Sequence, residues 1–353
     1  MSAHLGTIPP QRPGHRTIRR GGVAVRVNMR ALGLAAMALG LLVLLMIWAV
    51  TLGSFSIPFD EVVRAIFGRG TEDTDMVVRT LRLPRVLVAV LMGACLAMSG
   101  TIFQGIARNP LVSPDIIGIS SGATLCAVSW MILGIGSLVL LPVAAFAGAV
   151  VAAAAVYGLS WKRGIAMNRL ILVGIGVGAM ISAGTTYMTV KFPIEITRPA
   201  IVWAMGSIYA SNWSDVRLLV VSLLVLGPIA VILMEALRTL QFGDTVSRSL
   251  GVSLEQTRLT LILVGCALAA VSVALAGPIG FVALIVPHMA RMIAGPPTGS
   301  VLIFTALLGS IMLLGSDIVA QHLLPVTLPV GVVTGAVGAP YFLYLLYRSN
   351  LRV

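Results

Sequence analysis

Hydrophobic residues in this chain come in long runs, at about 31–53, 86–106, 115–134, 138–159, 168–190, 217–238, 259–276, 279–294, 300–319 and 330–347. Each run is close to the ~20 apolar residues that cross a ~30 Å hydrocarbon layer as a helix. Polar positions gather between the runs and do not alternate with apolar ones, so the strict two-residue period of a membrane β-barrel is absent. The pattern predicts an all-α, polytopic membrane bundle of about ten transmembrane helices. The seventh and eighth runs are separated only by Gly277-Pro278.

Composition agrees and narrows the class. The chain is 58% hydrophobic and 10% charged, with a mean hydropathy of +1.02, which excludes a soluble domain. Its net charge of +12 does not point to nucleic acid, because the arginines are dispersed and mark helix ends. An even number of spans puts both termini on one side. Cytoplasmic termini place arginines inside over outside by about two to one. The expected setting is therefore multi-pass in a membrane, with both ends cytoplasmic. The first outer loop runs against the trend with five basic residues, Arg64, Arg69, Arg79, Arg82 and Arg85. Residues 1–30, basic and rich in Gly and Pro, read as a disordered cytoplasmic tail, followed by a ten-helix membrane domain over 31–349. The run at 31–53 is too long for the core of a cleaved signal peptide. Cys95, Cys126 and Cys266 lie inside apolar runs without metal-ligand spacing and read as packing residues. No metal site is expected.

One polar stretch falls at membrane depth, "SGTIFQGIARNPLVSPDIIGISSGA". Such breaks are tolerated in lipid only where protein buries them or water fills a cavity beside them. Pro110 ends one span and Pro114 restarts the helix, with Asn109 and Ser113 placed to satisfy freed backbone groups. A plain helix–turn–helix would also account for it.

The longer stretch "RLPRVLVAVLMGACLAMSGTIFQGIARNPLVSPDIIGISSGA" resembles the signature of the FecCD family, the membrane permeases of ABC importers for iron–siderophore complexes, haem and vitamin B12. "WAMGSIYASNWSDV", "RSLGVSLEQTRL", "AGPIGFVALIVPHMARMIAG" and "LPVGVVTGAVGAPYFLYLL" match further family blocks in the same order. The resemblance implies the type II importer permease fold, with a second permease subunit, identical or homologous, and a path along the subunit interface. It also implies two cytoplasmic ABC ATPase subunits and an extracytoplasmic substrate-binding protein. The chain has no GxxxxGK[ST] loop and only two lysines, so ATP and Mg belong to the ATPase partner, this chain binds no cofactor, and it is not itself an enzyme.

By the same resemblance Arg82 and Arg85 face acidic residues of the binding protein. A further family arginine is missing near the last outer segment, where Gln321 and His322 stand, which leaves Asp317 without its expected basic neighbour. The region 235–258 is the expected ATPase coupling segment, with Asp244, Arg248, Ser249, Leu250, Gly251 and Val252 at its centre. Leu250 and Val252 are its expected buried anchors. Gly243 and Gly251 bracket a short polar helix there. Ser99, Gln104, Asn109 and Leu111 are expected on the translocation path and its gate, the path being lined by small and apolar residues. Pro287 and His288 are expected to shape the cytoplasmic end of the eighth span.

The substrate expected is a ferric siderophore or similar iron chelate, with haem or cobalamin as the alternative. An ion-coupled transporter needs ionisable residues within the spans, and only Asp115 and Asp317 qualify. An integral-membrane enzyme lacks support, since the chain has no HExxH, no paired carboxylates and no His/Asp cluster.

Overall fold

The computed structural model describes residues 15–20, 23–53, 57–162, 164, 166–323 and 325–350. Ten apolar helices follow the order of the ten runs. Seven are long and apolar enough to cross a membrane, and three shorter ones lie at 119–133, 282–294 and 330–344. The long set comprises α1 (Met29–Thr51), α4 (Leu83–Ala107), α6 (Leu141–Ser160), α7 (Met167–Lys191), α9 (Trp213–Leu240), α11 (Leu254–Ala276) and α13 (Gly299–Ile318). The short apolar helices are α5 (Ile119–Leu133), α12 (Val282–Ala294) and α14 (Val330–Asn350). Four non-spanning helices complete the set, α2 (Phe59–Ile66), α3 (Glu72–Met76), α8 (Ile194–Ala204) and α10 (Asp244–Ser249).

Strand structure among the described residues is confined to the segment before α1. β1 (His15–Arg20) pairs antiparallel with β2 (Val23–Asn28), His15 opposite Asn28 and Arg20 opposite Val23. This part of the tail, expected to lack order, therefore carries a hairpin. Its sequence explains why, since Thr17, Ile18, Val23, Val25 and Val27 supply the β-branched residues that favour extended backbone. Residues 1–14 lie outside the described residues. Asn28 then caps α1 by accepting from the Ala31 amide, and its side-chain amide donates to the Ala294 carbonyl. The first span is thereby pinned to the end of α12.

The axis of the bundle is α4. It packs against α13, α11, α9 and α12, and nearly all its positions from Val86 to Ile106 are buried. Small residues make this possible, because a helix surrounded by helices needs close backbone approach. A Cβ at Gly93 would lie 2.3 Å from the Gly309 carbonyl oxygen, and one at Gly309 would lie 2.2 Å from that of Gly93. At Gly100 the same atom would come within 1.8 Å of the Ala283 carbonyl oxygen. Hydroxyls stitch the seams, with Ser310 Oγ donating to the Val90 carbonyl and Ser99 Oγ to the Gly265 carbonyl, both at 2.7 Å. Ser99→Ala removes one fully buried hydrogen bond to a carbonyl inside α11. It is expected to lower stability by about 1 kcal/mol, read as a lower thermal midpoint of the purified chain.

At its N-terminal end α4 is preceded by a π-helical turn, Val77–Arg82, that runs on from α3. The continuous segment Glu72–Ala107 has 36 residues, about 54 Å at 1.5 Å per residue. That exceeds the hydrocarbon thickness, so this helix projects beyond the membrane. The charged outer loop is thus largely helical rather than irregular.

Two of the short apolar helices, α5 and α12, begin a few residues into their apolar runs because irregular backbone precedes them. Arg108, with φ 52°, ends α4 in the left-handed conformation. A 3₁₀ turn at Pro114–Ile117 and Gly118 lead into α5. The Ile116 carbonyl oxygen would lie 1.8 Å from a Cβ at Gly174, so the turn sits against α7 seven residues past that helix's start. Similar breaks meet on the opposite side. The Ser207 amide donates to the Ala276 carbonyl at 2.7 Å, and the Gly331 amide to the Gly206 carbonyl at 3.1 Å. Irregular backbone therefore satisfies irregular backbone inside the protein, as the oily surroundings demand.

Candidate functional site

The outer end of α4 carries an ion pair. Arg85 donates through Nη2 to Asp317 Oδ1 at 2.7 Å and through Nε to Asp317 Oδ2 at 3.0 Å, a bidentate contact with side chains only 14% and 7% exposed. Gln321 donates to both carboxylate oxygens at 3.1 Å, and the Tyr209 ring lies 5.3 Å from the guanidinium. Asp317 is therefore not without a basic neighbour; its partner is Arg85, reached across the bundle from α4 to α13. Arg82 is also engaged within the chain. Its Nη1 donates to the Val50 carbonyl at 2.9 Å, at the end of α1. Both arginines expected at the docking surface are thus fixed by internal contacts.

Midway along the bundle, hydroxyls line a cleft of about 380 Å³. Three come from α5 (Ser120, Ser121 and Thr124) and four from α7 (Ser182, Thr185, Thr186 and Thr189), with Pro278 of the α11–α12 link closing one wall. Helical spacing accounts for each set, since residues three and four apart share a face. The Thr hydroxyls donate to carbonyls four residues back: Thr124 to Ser120 at 2.7 Å, Thr185 to Ile181 at 3.2 Å, Thr186 to Ser182 at 3.0 Å and Thr189 to Thr185 at 3.2 Å. Their oxygen lone pairs remain free to accept from whatever occupies the cleft. Sequence reasoning missed this surface. "GISSGAT" and "ISAGTTYMT" carry the signal, two hydroxyl faces at helical spacing.

Ser99 and Gln104, expected on the path, are both buried within this chain. Ser99 is 0% exposed and tied to α11, and Gln104 is 1% exposed and tied to α12 through the Leu284 carbonyl at 2.8 Å. Ser99 is enclosed by the helices around α4, whereas Gln104 also borders a cleft at the end of that helix. Asn109 and Pro110 are exposed at the turn and Leu111 is half-buried. Asn109 Oδ1 accepts from the Leu111 amide at 2.9 Å, which satisfies a freed donor as expected. Ser113 does not cap with its side chain; its hydroxyl reaches Asp115 instead, as does that of Ser120. Pro114 opens the 3₁₀ turn and is buried. Pro287 and His288 sit in the middle of α12, not at its end; the helix continues to Ala294.

On the cytoplasmic side, as the arginine distribution reads it, α10 stands where a short polar helix was expected, between Gly243 (φ 106°) and Gly251 (φ 79°). Positive φ at both flanks suits glycine. Asp244 pins this helix to two others: Arg258 of α11 donates to it at 2.8 Å and Arg108 at 3.3 Å. Ser247 is fully buried against the Thr239 carbonyl at 2.8 Å. Arg248 and Ser249 are exposed, and the Ser249 hydroxyl bonds within its own helix to the Val246 carbonyl at 2.9 Å. Val252 is half-buried and packs back onto the bundle core, anchoring the segment inward. Leu250 instead is 64% exposed, and Phe242 and Val246 are exposed beside it. Val246 and Leu250 share the last turn of α10, Phe242 lies just before Gly243, and the spacing F-x3-V-x3-L was legible in the sequence.

The FecCD transport family matches residues 41–348. The chain belongs to this family. It is similar to the achromobactin transport system permease protein CbrC of Dickeya dadantii, 38% identical over 94% of this chain and 96% of that one. It is also similar to the ferric enterobactin transport system permease protein FepG of Escherichia coli, 38% identical over 87% of this chain and 93% of the relative. Among solved structures, a metal-chelate type ABC transporter in an inward-facing conformation aligns with a TM-score of 0.81 at 31% identity, covering 90% of this chain and 99% of that one. The all-α bundle described above is thus the fold of an ABC transporter permease, and the family resemblance read from the motifs holds.

Proposed function

We propose that this FecCD-family chain is the permease subunit of an ATP-driven importer that carries a ferric siderophore across the bacterial cytoplasmic membrane. The observation that carries the proposal is the exposed apolar side chains of Phe242, Val246 and Leu250, on and beside a short helix that Asp244 locks to the end of α4. An unpaired apolar face at a membrane protein's aqueous end suits a groove on a soluble partner, and its rigid tie to α4 transmits a push to the bundle. In this reading two ABC ATPase subunits, carrying ATP and Mg, grip α10. A second permease subunit completes the path, an extracytoplasmic binding protein docks over Arg82 and Arg85, and both chain ends are cytoplasmic. The hydroxyl cleft supplies the polar passage, since a ligand already wrapped around its metal needs hydrogen-bond partners and no ligand set.

Siderophore-transporting relatives support this substrate class. The ion-coupled alternative loses ground because Asp317 is held by Arg85, and Asp115 by Ser113 and Ser120. In membrane vesicles loaded with the partner subunits, uptake of a radiolabelled ferric siderophore is expected to require ATP, stop with orthovanadate, and proceed without an ion gradient. Uptake driven by a proton or sodium gradient in the absence of ATP would overturn the proposal.

A further inference from the structure

Beside α10 opens a second cleft, of about 530 Å³, between the end of α4, α12 and the Pro296-Pro297 link to α13. Its lining carries two guanidiniums (Arg108 and Arg291), the His288 imidazole and the Gln104, Asn109 and Gln241 carboxamides, and among the described residues no carboxylate. Arg108 is occupied by the Leu240 carbonyl and Asp244. Arg291 is different. Its recorded partner is neutral, the Gln104 side-chain oxygen.

Gln104 is a fixed strut. It is almost fully buried, and its amide nitrogen donates to the Leu284 carbonyl at 2.8 Å. That bond orients the carboxamide so its oxygen must face Arg291. A guanidinium has five N–H donors in a planar fork, and this contact uses one of its nitrogens. The others belong to a half-buried cation that no described carboxylate neutralises, and it borders an open cleft. Partly desolvated guanidinium without a counter-charge is costly, and an oxyanion arriving in the fork relieves that cost.

We propose that Arg291, aimed by Gln104 and flanked by His288, forms an anion subsite that receives the negatively charged carboxylate or catecholate oxygens of a metal chelate as it leaves toward the cytoplasm. The inference rests on the proposed transport function and adds to it a charge class for the cargo. Passage requires such a site to be weak, favourable enough to enter and loose enough to leave. A single arginine with a neutral strut meets that requirement, whereas a cluster of paired cations would trap the anion. A lipid phosphate offers the same oxygen chemistry, so the test must tell the two sources apart.

The test uses the full chain in nanodiscs titrated with ferric citrate as the anionic probe. In neutral phosphatidylcholine discs the wild-type chain is expected to bind saturably. Arg291→Gln is expected to weaken binding by about tenfold or more, and Arg291→Lys to keep a larger part of it. Thermal unfolding of each variant, matched to wild type, separates loss of the site from loss of the fold. In phosphatidylglycerol discs the binding is expected to persist. No binding in neutral discs, equal binding by a folded Arg291→Gln chain, or binding abolished by phosphatidylglycerol would each overturn the proposal, the last assigning the cleft to a headgroup. Failure of the subsite with siderophore uptake intact leaves the transport function standing. Absent ATP-driven uptake with citrate binding intact overturns the transport function alone.

Discussion

Asp317→Ala is expected to cost the folded chain about 3–5 kcal/mol, because it leaves the Arg85 guanidinium in a nearly closed site without its counter-charge. The bidentate geometry and the second pair of bonds from Gln321 both require a carboxylate at that point. Within an oily bundle the stranded cation has few alternatives. The measurement is the thermal midpoint of the purified chain, with siderophore uptake alongside. Arg85→Met combined with Asp317→Leu removes both charges and keeps the volume, and it is expected to regain most of the lost stability. Uptake by that double variant then separates two roles. Recovery of stability without uptake assigns Arg85 to the docking surface as well as to the ion pair. Recovery of both leaves docking to Arg82 and its neighbours. A single Asp317→Ala chain as stable as wild type would mean that the pair holds nothing together.

Leu250→Asp is the counterpart at the other end of the molecule. The side chain is 64% exposed, so its replacement leaves the bundle intact and chain abundance unchanged. A charge placed where an apolar anchor enters a groove costs the contact about 2 kcal/mol or more, roughly a thirtyfold loss of association. ATP-driven uptake is expected to fall by a similar factor, and the ATPase to stop copurifying with the chain. Full uptake by this variant would remove α10 from the coupling path. Val252, by contrast, packs on the core, and its truncation belongs to the stability of the bundle.

The bundle was legible because lipid imposes one rule on every span, about twenty apolar residues in a row. The Gly277-Pro278 break and the glycines around residues 244–249 were legible for the same kind of reason, since each residue type has a narrow set of backbone uses. Side-chain partners were not. Arg85 and Asp317 are 232 positions apart, and nothing local announces that they meet. The burial of Ser99 and Gln104 was hidden for a different reason. α4 is apolar or small on all sides, so no periodicity marks which face looks toward a path. The outer loop hid its helices behind charge: Val62 and Ala65 are buried at spacing three while the acids and arginines around them face out. The apolar face of Phe242, Val246 and Leu250 was present as a pattern and was overlooked beside the more familiar "SLGV".

The backbone contact between Gly93 and Gly309, with its companion at Gly100 and Ala283, leaves no slack for one helix to slip along the other. Three spans are in effect splined together, like a shaft with its keys. Whatever rearrangement carries cargo inward must therefore turn on the loosely covered helices, α7 above all, where most side chains face out of the subunit. The still point of the machine lies at its centre, and its moving parts are the ones a second subunit would touch.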